Sequence, residues 1–107
     1  MKQFTTPEQT AKLIELGLPK PKSEVKAEQA GDYAWYNPAY SIGELISFLP
    51  QFLDFDDGEW SLSIEADPFK TNRTWWVFYA PSSHTESGEL IDALYAMIVK
   101  LKEEGVI

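Results

Sequence analysis

Trp60-Ser61-Leu62-Ser63-Ile64-Glu65 and Thr74-Trp75-Trp76-Val77-Phe78-Tyr79-Ala80 are the two stretches that decide the fold. In the first, apolar and polar residues alternate, the pattern of a strand with one buried and one wet face. In the second, both faces are apolar: Trp75, Val77 and Tyr79 on one, Trp76, Phe78 and Ala80 on the other. Such a strand is central in a sheet or covered twice. The seven-residue link from Asp67 to Arg73 makes an antiparallel hairpin the economical connection, and Pro81-Ser82-Ser83 ends the second strand.

Outward from this pair, three helices are predicted. Leu90, Ile91, Leu94, Met97, Ile98 and Leu101 recur at helical spacing, with Glu86 and Glu89 near the start and Lys100 and Lys102 near the end. This predicts a helix over roughly residues 87–104, closed by Gly105. Thr6-Pro7-Glu8-Gln9 is a capping box with proline at the first helical position, and Gly17 is a natural stop. Ser41-Ile42-Gly43-Glu44 is a second capping box, with Tyr40 and Leu45 placed as a hydrophobic staple and Pro50 limiting the helix. Tyr33 to Tyr36 has strand composition and ends at the turn signal Asn37-Pro38, whereas residues 23–31 carry no decisive pattern. Gln51 to Asp57 reads as an acidic-aromatic loop closed by Asp57-Gly58. The expectation is one α+β domain over residues 1–107, in the order α-β-α-β-β-α, with helices packed on an antiparallel sheet.

Composition narrows the function classes. A chain of 107 residues buries roughly two-thirds of its unfolded surface, enough for a core without staples. With no cysteine and one histidine, disulfide frameworks, thiol catalysis and multi-histidine metal sites are excluded. No apolar run reaches a membrane span and the opening residues do not read as a signal peptide, so a cytoplasmic location is expected. The net charge of −8 is concentrated in residues 41–69, which hold seven carboxylates and no base. Phosphate-rich partners would be repelled, so neither nucleic acid nor an anionic membrane is expected as a direct partner.

Three segments carry a resemblance: Phe4-Thr5-Thr6-Pro7-Glu8-Gln9-Thr10-Ala11-Lys12-Leu13, Tyr40-Ser41-Ile42-Gly43-Glu44-Leu45-Ile46, and Glu89 to Tyr95 through Lys100 to Ile107. They resemble a family of small proteins carried by phages and integrated mobile elements of gut anaerobic bacteria. The resemblance covers about half the chain, and all of it is helix and cap. It implies an accessory protein that counteracts host defence by binding, inside the bacterial host. It supplies no catalytic or binding residue.

The residues themselves offer little for catalysis. His84 follows Ser82 and Ser83 at the expected start of the last helix, but adjacent side chains rarely aim at one another, and no third, orienting group is evident. Asp54 and Asp56 fall at positions 1 and 3 of a calcium loop and Glu65 at position 12. The glycine, Gly58, is one place early, and Glu65 lies in a patterned strand, so a turn is the better account. No enzyme activity, metal or cofactor is expected. The aromatics are the stronger signal. Trp75 and Trp76 must point to opposite faces, so a one-sided core hides only one of them. Trp35, Trp75 and Trp76, with Lys70 and Arg73, therefore form the candidate ligand-binding set: a ring to stack on a base and cations to hold phosphate. The expected activity is sequestration of a nucleotide-derived signal. The alternative is an acidic interaction module, an inhibitor or local nucleic-acid mimic, whose 54–67 segment blocks a host defence protein. A homo-oligomer is compatible with either.

Overall fold

A computed structural model describes residues 2–28, 34–55, 58–67, 74–79 and 83–107. The class is α+β. Among the described residues, helices α1 (Pro7–Glu15), α2 (Ile42–Phe48) and α3 (Leu90–Glu103) accompany seven strands. The strands are β1 (Ser23–Glu28), β2 (Ala34–Ala39), β3 (Phe52–Phe55), β4 (Gly58–Ser61), β5 (Ser63–Asp67), β6 (Thr74–Phe78) and β7 (His84–Ser87). Their pairings are antiparallel, in two ribbons, β1-β2 and β3-β4, and a three-stranded sheet ordered β5-β6-β7.

Both capping boxes form. The Thr6 hydroxyl accepts from the Gln9 amide while Gln9 reaches back to the Thr6 N–H, and Ser41 and Glu44 repeat the arrangement. At the end of α1, Gly17 takes φ 96°, its N–H donating to Ile14 and that of Leu18 to Leu13. A left-handed residue at this point satisfies carbonyls that the helix leaves open. Tyr40 ties the elements together. Its backbone N–H and C=O pair with the Thr5 hydroxyl and N–H, its hydroxyl donates to the Pro19 carbonyl, and its ring meets Phe48 edge-on at 5.6 Å.

The core lies between α3 and the three-stranded sheet. Leu90, Ile91, Ala93, Leu94, Met97, Ile98 and Leu101 of α3 are buried, together with Leu13, Tyr40, Leu45, Leu49, Val77 and Tyr79. Each large apolar side chain so buried stabilises by about 1.5–3 kcal/mol. The N-terminal segment is strapped across the start of α3. Asp92 accepts from Lys2 Nζ at 2.6 Å and Gln9 Nε2 at 2.8 Å, and Glu89 accepts the Lys2 N–H at 2.8 Å.

Residues 23–28, indecisive in sequence, form a strand. Four sequence expectations are corrected. Asn37-Pro38 is not a turn but lies within β2. Among the described residues this strand pairs with β1 alone, so its other edge has no ladder that needs the missing proline N–H. The run 52–55 is a strand, not a loop, and 58–61 completes its hairpin. The predicted strand 60–65 breaks at Leu62, whose N–H donates to the Gln51 carbonyl at 2.9 Å, so the chain passes from the β3-β4 ribbon into the β5-β6-β7 sheet. Finally, α3 begins at Leu90, and His84 belongs to β7 instead of a helix start. Among the described residues the order is therefore α-β-β-α-β-β-β-β-β-α.

Candidate functional site

β6 is the middle strand of its sheet, as its two apolar faces require. Its odd-numbered side chains look toward α3. Val77 and Tyr79 are buried there, and Trp75 packs partly buried against the same core. Ile64 of β5 lies opposite Val77 and joins this layer, and Thr85 of β7, also opposite Val77, donates its hydroxyl to the Ala93 carbonyl at 2.7 Å. α3 is the helix packed on β6 and β7; α2 packs on α3 and α1 on β2.

Period-two alternation sends the even-numbered residues of β6 to the other face. Register builds two rows there. Glu65, Trp76 and Glu86 stand side by side across the three strands, and Ser63, Phe78 and His84 form the next row. Trp76 and Phe78 are half-buried, while Glu65, His84 and Glu86 are exposed. Adjacent strands lie about 4.8 Å apart, so the backbones of the two glutamates are separated by about 10 Å with the indole between them. The imidazole of His84 reaches diagonally to stack on Trp76, with centroids 5.1 Å apart and planes 27° from parallel. The face thus offers a braced indole, a phenyl ring two residues along and the exposed Glu65 carboxylate beside the indole. Chemically, it can stack on a flat group and attract a cation.

Of the candidate binding residues, the structure sets Trp75 and Trp76 on opposite faces of β6, so they do not share a site. Trp35 stands opposite Ala27 in the β1-β2 ribbon. Lys70 and Arg73 lie outside the described residues, as do Asp56 and Asp57. Asp54 stands opposite Glu59 in the β3-β4 hairpin. Among the described residues no group of three or more histidine, aspartate or glutamate side chains could hold a metal ion, and no helix is long and apolar enough to cross a membrane. Phe78 shares the face of Trp76 by alternation, as read from the sequence, whereas Glu65, His84 and Glu86 are not grouped with it by sequence reasoning. The one signal for them is the alternation of His84-Thr85-Glu86-Ser87, which matches a half-buried edge strand. No protein-family model, curated protein or solved structure matches the chain.

Proposed function

We propose that this protein acts by binding rather than catalysis, and that its contact surface is the β5-β6-β7 face turned away from α3. The partner is a cationic stretch of a protein. The observation that carries this reading is the half-buried Trp76 directly opposite the exposed Glu65, on a face turned away from the helix. A partly exposed aromatic rimmed by polar groups marks an interaction site, and indole faces attract cations. The segment that contains Glu65, residues 41–69, carries seven carboxylates and no base. The resemblance to phage and mobile-element proteins directs the reading to a host protein, with interference in host defence as the outcome.

A second reading, sequestration of a nucleotide-derived signal, draws support from the Trp76–His84 stack, which resembles a platform for a base. Its phosphates would face Glu65, and Lys70 and Arg73 would have to offset that repulsion.

Calorimetric titration separates the two. A lysine- and arginine-rich peptide is expected to bind with a dissociation constant of about 10–100 μM, weakening as salt is raised. Trp76→Ala should abolish the response. Saturable binding of a cyclic dinucleotide or ADP-ribose, with no response to the basic peptide, would replace this reading with sequestration. No response to either would remove the face as a contact surface.

A further inference from the structure

Resting on that reading, we infer that the face recognises an extended segment carrying an arginine and, two residues away, an apolar side chain. One face of the Trp76 indole is covered by His84, which comes from β7. On the β5 side, Glu65 is the residue directly opposite Trp76, on the same face of the sheet. Side chains directly opposite across two strands leave the sheet with Cβ atoms about 5 Å apart. A cation entering on this side meets an aromatic plane and a carboxylate together. A guanidinium is flat, so it can lie on the indole while its N–H groups fork to the carboxylate. An ammonium is a point charge that satisfies one of the two contacts well and the other poorly.

The second determinant follows from strand periodicity. Phe78 lies two residues beyond Trp76 on the same face, about 7 Å along β6. It is half-buried and sits between Ser63 and His84, a row without a carboxylate. An extended partner lying along β6 repeats its own side chains at the same spacing. With an arginine over Trp76 and Glu65, its next same-side residue falls on Phe78, where an apolar group is favoured. Charge complementarity and this match of spacing together select the occupant: a strand-like Arg-x-apolar segment.

The test uses the full chain, ¹⁵N-labelled, titrated with capped peptides of glycine and serine that carry arginine and leucine two places apart. Shifts are expected on β5 and β6, with affinity falling about tenfold when lysine replaces arginine. A similar loss is expected when leucine is moved next to the arginine. Glu65→Gln should erase the preference for arginine over lysine, and Trp76→Phe, which keeps an aromatic ring in place, should weaken but not abolish it. Equal binding of arginine and lysine peptides, or indifference to the leucine position, would overturn this inference while leaving a generic acidic contact surface. Binding of no basic peptide would overturn the functional reading as well.

Discussion

The His84 imidazole lies stacked on the Trp76 indole, 5.1 Å between centroids, although the two residues sit in different register rows of neighbouring strands. The diagonal contact holds an otherwise half-exposed indole in one orientation. Diagonal neighbours in a sheet are within reach of aromatic side chains, and ring pairs contribute about 0.5–1.5 kcal/mol beyond area burial. A double-mutant cycle with Trp76→Ala and His84→Ala, read from urea unfolding, should therefore give a coupling energy in that range. Additive effects of the two changes would show that the stack contributes no stability.

Tyr79 is buried and donates its hydroxyl to the Pro50 carbonyl at 2.6 Å, and burial pushes its pKa up to about 12. A raised folded value favours the neutral phenol in the native state. Its contribution is complete below the ordinary value of 10.0 and is lost as the pH climbs through about 12. Tyr79→Phe should cost about 1–3 kcal/mol at neutral pH, because a carbonyl loses its donor. The variant should also lose stability less steeply than the parent across the alkaline range. Urea midpoints measured at neutral pH and between those two values check both parts; parallel alkaline slopes would contradict the assignment.

Asp92 gathers the strap at the head of α3. Burial works against its ionisation, yet the hydrogen bonds from Lys2 and Gln9 and the charge of Lys2 outweigh it and hold the pKa below 3.8. A depressed folded value means the contribution is complete above 3.8 and fades as the pH falls through the folded value. Since the pair is about a third exposed, Asp92→Asn should cost only about 0.5–1 kcal/mol at neutral pH. Thermal unfolding of parent and variant should differ at neutral pH and converge in strong acid. A difference that persists unchanged in strong acid would point to packing instead of charge.

Local signals carry much of the fold. Both capping boxes, the glycine stop of α1 and the apolar stripe of α3 are written within a few residues, and each forms. The strands are less legible because they lean on partners far along the chain. β1 is Ser-Glu-Val-Lys-Ala-Glu, too polar to announce a strand without β2 beside it. Phe52 and Asp54 are exposed while Leu53 and Phe55 are half-buried, so β3 does alternate, but its acids suggest a loop. Glu86 matches the dipole of a coming helix as well as it matches an outward position on β7. For the site, the opposition of Trp75 and Trp76 follows from alternation alone. That Glu65 and Glu86 flank Trp76 depends on the register of three strands, which no short stretch encodes.

The joint at Leu62 gives the molecule a single phase. Trp60, Leu62 and Ile64 all pack partly buried against the core, so the alternation begun in one ribbon is carried unbroken into the next sheet. One inserted residue within β5 itself would shift its register on β6, turning Ile64 outward and Glu65 inward. Insertions there can thus be absorbed only in pairs. The acidic face is held outward by the same count of residues that holds the core inward, and the two cannot drift independently.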